Sequence, residues 1–280
     1  MKSFANKVAA ITGAGSGMGR TLAVALARRG CHVAVSDVNE GSLAETATLA
    51  AQHGVKVTSR TVDVAKRDEV YAWADEVVRD HGRCNLVFNN AGVAHSSTIE
   101  GIDYADFEWI VGINFWGVVY GTKAFLPHLK ASGDGHVVNT SSLFGLVGIP
   151  SQGTYNATKF AVRGFSEALR EELEVTGAPV SATCVHPGGI KTNIARSARV
   201  HPSVKHLGVK DVEKSRASFE RMFRVTAEDA AETILRGVQR NARRVLVGMD
   251  AHFLDALQRL MPASYQKIVA VAARRSIERN

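Results

Sequence analysis

The fold of this chain is indicated first by a glycine-rich stretch, Thr12-Gly13-Ala14-Gly15-Ser16-Gly17-Met18-Gly19. It follows an apolar run at 7–12 and leads directly into a helical pattern at 17–29. Glycines allow a sharp turn, after which backbone N–H groups and the positive end of a helix can bind a pyrophosphate. A tight loop without a ligand is the alternative, but the order strand, turn, helix favours a dinucleotide site. The predicted cofactor contacts in this turn are Gly13, Ser16, Gly17, Met18 and Gly19.

Short β-branched runs alternate with longer helical patterns over most of the 280 residues. The predicted strands are 7–12, 31–36, 55–61, 84–89, 135–140, 180–186 and 244–248, and the predicted helices are 17–29, 40–53, 67–81, 103–130, 154–176 and 227–241. This alternation predicts an α/β fold with one Rossmann-like, doubly wound parallel sheet of about seven strands and helices on both faces. Residues 1–250 form the predicted catalytic domain, with 189–226 as an insertion over the substrate site. Residues 251–280 form a predicted C-terminal amphipathic helical extension, interrupted at Pro262.

The composition is that of an ordinary globular protein, with 45% hydrophobic and 22% charged residues. Cys31, Cys84 and Cys184 stand in apolar runs, which predicts buried thiols rather than a disulfide framework or a metal site. No stretch reaches the roughly 18–20 apolar residues that a membrane span needs, and the N-terminus lacks a secretory signal pattern. We therefore expect a cytoplasmic protein without a metal ion.

The net charge of +7 is concentrated at the C-terminus, because residues 236–280 hold nine Lys and Arg against three Asp and Glu. Helical apolar spacing in this segment favours a helix pair that contacts a partner subunit or covers the core. A membrane-surface helix is an open but less favoured alternative. We expect no nucleic-acid partner, since no DNA- or RNA-binding motif accompanies the basic residues.

Asp37 stands at the end of the second predicted strand, 18 residues after Gly19. A carboxylate there can accept hydrogen bonds from the adenosine ribose and would repel the 2′-phosphate of NADP. Ala14 and Ser16 stand at turn positions where a basic residue could bind a 2′-phosphate, and their neutral side chains also favour NAD. Asp37 could equally be the N-cap of the next helix.

Further along the chain, Asn89-Asn90-Ala91-Gly92 closes the fourth predicted strand, and Ser142 precedes the Tyr155-x-x-x-Lys159 pair by 13 residues. Pro187-Gly188 follows the sixth strand. With the glycine turn, this ordered set resembles the short-chain dehydrogenase/reductase family over about residues 5–250.

The resemblance implies a nicotinamide-dependent oxidoreductase that transfers the pro-S hydrogen of the reduced cofactor. It implies cofactor contacts at Asp63, Val64, Asn90, Ala91, Gly92, Tyr155, Lys159, Pro187, Gly188, Ile190 and Thr192. It also implies that Asn114 organises a water chain to the lysine, although a helix cap or kink is the alternative for this residue. Family members assemble through two long helices, here 103–130 and 154–176, so we expect a homodimer or homotetramer.

The catalytic chemistry also follows from the residue types. Tyr155 and Lys159 are four residues apart on a predicted helix, so their side chains share one face. An ammonium beside a phenol favours the phenolate, which predicts a lowered tyrosine pKa and a general acid/base. Ser142 can stabilise charge on the substrate oxygen. The predicted catalytic residues are thus Asn114, Ser142, Tyr155 and Lys159.

The residues expected around the substrate are mainly apolar, which favours a hydrophobic secondary alcohol or its ketone over a sugar or a charged acid. We predict substrate contacts at Ser142, Phe144, Ile149, Gln152, Tyr155 and Gly188, within a wider lining of Val93, Ala94, His95, Leu143, Leu146, Gly189 and Ile194. Phe219, Met222 or Phe223 could contact the substrate, but packing within the insertion is the favoured interpretation. A solvated loop position is likewise favoured for His95.

Two other functions are compatible with these residues. The basic insertion could bind an acyl-CoA, which would make the protein a 3-oxoacyl-type reductase. A solvated mobile lid is the favoured interpretation of this segment, because it also contains Asp211, Glu213 and Glu220. The fold could also serve a regulatory protein that senses a dinucleotide without turnover. The complete set of four catalytic residues favours the enzyme.

Overall fold

The computed structural model describes residues 1–221 and 223–278, without the side chains of residues 219 and 276–278. A seven-stranded sheet of parallel strands forms its centre, with β1 (Val8–Thr12), β2 (His32–Asp37), β3 (Val57–Thr61), β4 (Leu86–Asn89), β6 (Gly135–Thr140), β7 (Val180–Pro187) and β9 (Arg244–Val247). The strand order is β3-β2-β1-β4-β6-β7-β9. It reverses between β1 and β4, which is where open α/β sheets bind ligands. The predicted doubly wound sheet is confirmed.

Ten α-helices lie in the described residues: α1 (Gly17–Ala27), α2 (Glu40–Ala51), α3 (Arg67–His81), α4 (Tyr104–Val111), α5 (Gly117–Ala131), α6 (Gly153–Val175), α7 (Val212–Glu220), α8 (Ala227–Gln239), α9 (Met249–Leu260) and α10 (Tyr265–Glu278). The predicted continuous helix 103–130 is divided, because a π-helical turn at Gly112–Trp116 separates α4 from α5.

The inner strands β1, β4 and β6 are buried on both faces, which explains why their sequences lack polar alternation. On one face, Ile11 belongs to a hydrophobic cluster with Leu22 of α1 and Ile234 of α8. On the other face, Ala10 belongs to a cluster that includes Trp73 of α3 and Phe125 of α5. The sheet is therefore held from both sides, and its carboxyl edge is left for the functional residues.

The C-terminal extension packs on its own subunit. Leu143 and Leu146, which follow β6, form a third hydrophobic cluster with Ala251 of α9 and Tyr265 of α10. The Gly148 N–H donates to the Tyr265 hydroxyl at 3.3 Å. The sequence favoured a helix pair that either contacts a partner subunit or covers the core. The structure shows core covering, because α9 and α10 pack over the connection between β6 and α6.

The insertion carries regular structure of its own. A short strand β8 (Arg199–Val200) pairs in parallel with β5 (His95–Ser96), and a 3-10 helix at Pro202–Leu207 precedes α7. The Arg199 guanidinium lies 3.7 Å from the centroid of the Trp109 ring and bonds to Asp106 at 2.7 Å. These contacts attach the insertion to α4.

The three cysteines are buried and free, as expected. Among the described residues, no group of His, Cys, Asp and Glu is arranged to hold a metal ion. In the same part of the chain, no helix is both long enough and apolar enough to cross a membrane.

Candidate active site

The glycine turn connects β1 to α1 at the carboxyl edge of the sheet. Gly13 and Gly17 have positive φ angles of 64° and 51°, which residues with a Cβ rarely adopt. A Cβ on Gly19 would lie 2.1 Å from the Gly13 carbonyl oxygen, and a Cβ on Gly13 would lie 2.7 Å from the Ala91 Cα. The turn therefore leaves bare backbone at the start of a helix, and this cradle fits the pyrophosphate of a dinucleotide.

Asp37 lies beside this turn at the end of β2. Its Oδ2 accepts a hydrogen bond from the Gly15 N–H at 2.9 Å, and its Oδ1 accepts one from the Asn39 N–H at 3.0 Å. The N-cap of α2 is Asn39, whose side chain accepts from the Ser42 N–H. The alternative that Asp37 caps the helix is therefore wrong, and its carboxylate stands next to the cofactor cradle.

Thr12, which sequence reasoning missed, attaches the Asn-Asn-Ala-Gly element to the glycine turn. Its Oγ1 accepts from the Asn90 N–H at 3.0 Å and from the Ala91 N–H at 3.1 Å. The Asn90 side chain donates back to the carbonyl oxygens of Thr12 and Gly13. A polar residue at the end of a buried strand is the only local signal for this role.

Ser142, Tyr155 and Lys159 come together where β6 and α6 meet. Ser142 hydrogen-bonds to the Tyr155 hydroxyl and also accepts from the Phe144 N–H at 3.1 Å. Lys159 is buried, and its Nζ donates to the Thr140 carbonyl oxygen at 2.9 Å. The same Nζ lies 5.6 Å from the centroid of the Tyr155 ring. The structure thus brings the predicted serine, tyrosine and lysine to one place.

The acidity of these groups differs from the expectation. Burial raises the pKa of Tyr155 to about 12, and its hydrogen bond with Ser142 opposes this effect only in part. Burial also lowers the pKa of Lys159 to about 8. The expected lowering of the tyrosine pKa is wrong for the protein alone, because desolvation outweighs a lysine that is not bonded to the phenol oxygen.

Asn114 lies in the π-helical turn and is fully buried. Its Oδ1 accepts from the Val93 N–H at 2.8 Å, and its Nδ2 donates to the Val93 carbonyl oxygen at 2.9 Å. A Cβ on Gly92 would lie 3.3 Å from the Asn114 Oδ1 and 3.5 Å from the Lys159 Nζ. Asn114 and Lys159 therefore flank the same glycine. The helix is irregular at Asn114, as the kink alternative proposed, and such turns recur at functional sites.

The loop after β7 is fixed by the start of α9. The Gly188 N–H donates to the Val247 carbonyl oxygen at 2.8 Å, and the Gly189 N–H donates to Asp250 Oδ2 at 2.6 Å. A Cβ on Gly17 would lie 3.1 Å from the Thr192 Cγ2, so this loop reaches the glycine turn. Asp250 was missed because its partner lies 61 residues away in the chain.

The other predicted cofactor residues occupy the rim of the same edge or its support. Pro187 is the last residue of β7, and Ile190 is buried in a bridge with Val225. Asp63 follows β3, where its Oδ1 accepts from the Ala65 N–H at 3.0 Å. Val64 is buried, and a Cβ on Gly117 would lie 2.9 Å from its Cγ2. Val64 therefore packs against the start of α5.

A cavity of about 300 Å³ lies between the β6–α6 connection and the insertion. Of the six predicted substrate residues, Phe144, Ile149 and Gln152 line it. The Phe144 ring meets the Tyr155 ring edge to face, with 6.0 Å between the centroids. Phe144 thus connects the cavity to Ser142 and Tyr155, which lie behind it.

Within the wider predicted lining, the structure distributes the residues differently. His95 is buried and its Nδ1 lies 2.9 Å from the Thr154 Oγ1, so the interpretation as a solvated loop histidine is wrong. Leu143 and Leu146 pack under α9 and α10. Phe223 packs over Gly189, where a Cβ would lie 2.6 Å from its ring. Met222 and the side chain of Phe219 lie outside the described residues.

His186 is a further residue that sequence reasoning missed. It is fully buried on β7, with its Nδ1 2.9 Å from the Ser142 carbonyl oxygen. Burial lowers the pKa of His186 to about 4, so the ring is neutral near pH 7. Because a carbonyl oxygen only accepts, the proton is on Nδ1. His186 therefore fixes the backbone of Ser142.

Comparisons with known proteins agree with this geometry. The family model described as short chain dehydrogenase matches residues 7–202. A curated relative from Mycobacterium tuberculosis, called putative oxidoreductase SadH, is 50% identical over 96% of both chains. C alpha-dehydrogenase from Sphingobium sp. is 34% identical over 94% of this chain and 89% of its own length.

Among solved structures, a short chain dehydrogenase/reductase from Burkholderia phymatum in complex with NAD superposes with a TM-score of 0.84. It is 30% identical to this chain, and 96% of each chain is covered.

Proposed function

Because the chain belongs to the short-chain dehydrogenase family and is an oxidoreductase, we propose that it uses NAD to interconvert a hydrophobic secondary alcohol and its ketone. One observation carries this proposal. The hydrogen-bonded pair of Ser142 and Tyr155 lies directly behind Phe144, which lines a mainly apolar cavity. An acid/base group next to an apolar cavity suits a hydrophobic alcohol better than a sugar.

NAD, when bound, supplies the acceptor for the hydride that leaves the alcohol carbon. The cofactor residues are those of the cradle and its rim: Gly13, Ser16, Gly17, Met18, Gly19, Asp37, Asp63, Val64, Asn90, Ala91, Gly92, Tyr155, Lys159, Pro187, Gly188, Ile190 and Thr192. The complex of the Burkholderia phymatum structure with NAD supports this assignment.

In the proposed reaction, Tyr155 exchanges the proton of the substrate hydroxyl at its own oxygen. Ser142 donates to the substrate oxygen and steadies the charge that develops there. Lys159 stabilises the phenolate through its positive charge. Since its pKa is about 8, Lys159 can also pass the proton onward near neutral pH, toward Asn114 on the other side of Gly92. The pKa of Tyr155 near 12 makes this support necessary for alcohol oxidation.

The preference for NAD over NADP is assigned to Asp37. Its carboxylate adjoins Gly15, where a 2′-phosphate would meet a like charge. Arg20, a cation of α1, is held by the Glu45 carboxylate at 2.9 Å and by the Thr46 hydroxyl at 3.0 Å. Because Arg20 is already paired, it offers a phosphate little compensation.

Homo-oligomerisation completes the proposal. Trp116 and Phe160 are 45% and 40% exposed beside α5 and on α6, and apolar residues of this size at a helix surface are typical of subunit contacts. We expect a homodimer or homotetramer, which light scattering during gel filtration would reveal. A strictly monomeric protein would contradict this part.

The experiment is a panel of secondary alcohols and ketones, each assayed with NAD and with NADP by the absorbance of the reduced nicotinamide. We expect turnover of apolar substrates, with kcat/KM at least about tenfold higher for NAD, the effect of a hydrogen bond to a charged group. Tight NAD binding with no turnover across the panel would instead indicate a dinucleotide sensor. Turnover of 3-oxoacyl-CoA alone would replace the proposed substrate class.

A further inference from the structure

Among the described residues, the wall of the cavity that belongs to the insertion contains one charged residue. Of the 15 described residues that line the cavity, nine are apolar and Arg216 alone is charged. Arg216 lies on α7 and lines the same cavity as Phe144, whose ring adjoins Tyr155. A single cation in an apolar cavity is costly unless it binds something, so its partners decide its role.

The guanidinium of Arg216 is only partly satisfied by the protein. Its Nη1 donates to Glu213 Oε1 at 3.1 Å, and its Nη2 donates to the Ala198 carbonyl oxygen at a long 3.4 Å. An arginine has five N–H donors, so three remain without a partner among the described residues. Ser215 and Ser218 line the same wall, and within the described chain their hydroxyls make no side-chain hydrogen bond. Arg216 and two serines thus present free donors to the cavity.

Two other arginines of the insertion face solvent and lie outside the cavity. Arg196 is 71% exposed and its Nε is shared by both carboxylate oxygens of Glu220 at 3.1 Å. Arg199 is 51% exposed and is held by Asp106 and the face of Trp109. Arg216 is only 22% exposed, and its acidic partner Glu213 is 78% exposed. The cavity arginine therefore differs from these two in its burial and in lining the apolar cavity with donors that the protein does not use.

We propose that Arg216, with Ser215 and Ser218, binds the carboxylate of a hydroxy or oxo acid whose apolar chain fills the cavity. This inference rests on the proposed function and makes the substrate class more specific. It differs from the expectation from the sequence, which disfavoured a charged acid, because the structure places Arg216 in the cavity lining. One guanidinium, already partly balanced by Glu213, matches a singly charged carboxylate better than a phosphate, and its fork can bind both oxygens. The reacting carbon lies at the Tyr155 end, so the carboxylate keeps its bonds and charge throughout the reaction.

The volume limits the length of the chain. At the roughly 30 Å³ that a water molecule occupies in the liquid, a cavity of about 300 Å³ holds roughly ten non-hydrogen atoms. A medium-chain acid therefore fits between Arg216 and the Phe144 wall. Decanoate and decanamide form a matched pair of probes, because they share shape and differ in charge.

The test measures binding of decanoate and decanamide by titration calorimetry to the wild type, Arg216→Gln and Arg196→Gln. We expect decanoate to bind the wild type at least about tenfold more tightly than decanamide, as befits a hydrogen bond to a charged group. Arg216→Gln should lose this preference and leave decanamide binding within about threefold. Arg196→Gln, the matched control, should behave like the wild type.

Equal affinity for the two probes, equal weakening of both by Arg216→Gln, or no binding of either probe would overturn the inference. Neither probe has a group that NAD can oxidise, so this outcome is independent of turnover.

Kinetics with 9-oxodecanoate and its amide then tests the two proposals separately. For the acid, Arg216→Gln should raise KM about tenfold or more and leave kcat nearly unchanged, since the interaction is uniform in ground and transition states. Turnover of neither compound by the wild type, with decanoate selectivity intact, would count against the proposed function alone.

Discussion

The carboxyl edge of the sheet and the insertion at 189–226 face the same site but are built differently. At the sheet edge, buried hydrogen bonds join separate strands, as where Thr12 of β1 holds Asn90 and Ala91 after β4. In the insertion, exposed ion pairs such as that of Arg196 with Glu220 predominate over buried contacts. The core of the sheet therefore fixes the reaction geometry. Substrate choice depends on the insertion, which can vary in sequence without disturbing the catalytic residues. Substitutions of the catalytic residues at the edge should therefore change kcat, and substitutions in the insertion should change the affinity for the substrate.

Among the substitutions other than that of Tyr155, Lys159→Met should give the largest fall in kcat. Removing the cation leaves the Tyr155 phenolate unsupported, so we expect kcat to fall about 10³-fold, within the range of general acid/base catalysis. NAD binding, measured by fluorescence titration, should weaken much less than kcat falls. A variant that retains more than a tenth of the wild-type kcat would show that the phenol does not depend on this lysine.

The same substitution should affect stability in the opposite direction. Burial lowers the Lys159 pKa from 10.5 to about 8, so the charged lysine costs on the order of 3 kcal/mol below about pH 8. This cost disappears as pH rises toward about 10.5, because the unfolded chain binds the proton that the folded chain has lost. Urea unfolding should show wild type gaining stability relative to Lys159→Met over this range. A difference in the free energy of unfolding that stays constant with pH would contradict the lowered pKa of Lys159.

Gly19→Ala tests the cofactor cradle. The new Cβ would lie 2.1 Å from the Gly13 carbonyl oxygen, so the turn must move. We expect the Kd for NAD to rise about 100-fold, the loss of two or three backbone hydrogen bonds at roughly 1 kcal/mol each. Gly164→Ala is the matched control, because Gly164 also lies in a helix and a Cβ on it meets nothing within 4 Å. Equal NAD affinity in the two variants would contradict the cradle.

Asp37→Ala tests the assignment of cofactor preference. Loss of the carboxylate removes two acceptors for the ribose and the repulsion of a 2′-phosphate, so the NAD/NADP ratio of kcat/KM should fall about tenfold or more. Asn39→Ala, which removes the cap of α2 nearby, should change stability and leave the ratio unaltered. A preference for NAD that survives Asp37→Ala would place specificity elsewhere.

Asp250→Asn should have the smallest effect, because it lies outside both regions and acts through Gly189. Its carboxylate accepts the Gly189 N–H at 2.6 Å, and an amide oxygen preserves part of this bond. We expect KM for NAD to rise about threefold with kcat unchanged, consistent with the loss of roughly 0.5–1 kcal/mol. Asp255→Asn on the same helix, which loses pairs with Arg244 and Arg259 instead, should leave KM unchanged. A fall in kcat as large as that of Lys159→Met would extend the catalytic core to the C-terminal helix.

Much of the fold could be predicted because its signals are local. Apolar runs and glycines mark strands and turns within a few residues, so the seven strands of the sheet were found with small errors at their ends. The motif residues were predicted at the ends of strands, and the structure brings them to one edge because parallel strands end there together. The division of helix 103–130 was missed because Asn114 bonds to the Val93 backbone, 21 residues away.

Residues whose roles depend on distant partners had no local signal. His186 acts on Ser142 across 44 residues, and Asp250 acts on Gly189 across 61. His95 was expected in solvent because it stands in a predicted loop, yet it is buried and bonds to Thr154 of α6. The tyrosine pKa was misjudged for a similar reason, since desolvation depends on the whole surrounding structure.

The proposed role of Tyr155 in exchanging the substrate proton is tested by Tyr155→Phe. This substitution removes one oxygen and keeps the ring that packs against Phe144. The measurement is the rate of NADH formation with a secondary alcohol that the wild type oxidises, together with the Kd for NAD. We predict that the rate falls by about 10³- to 10⁴-fold while the Kd stays within about threefold. Oxidation by Tyr155→Phe at near wild-type rate would contradict the assignment of Tyr155 as the group that exchanges the substrate proton.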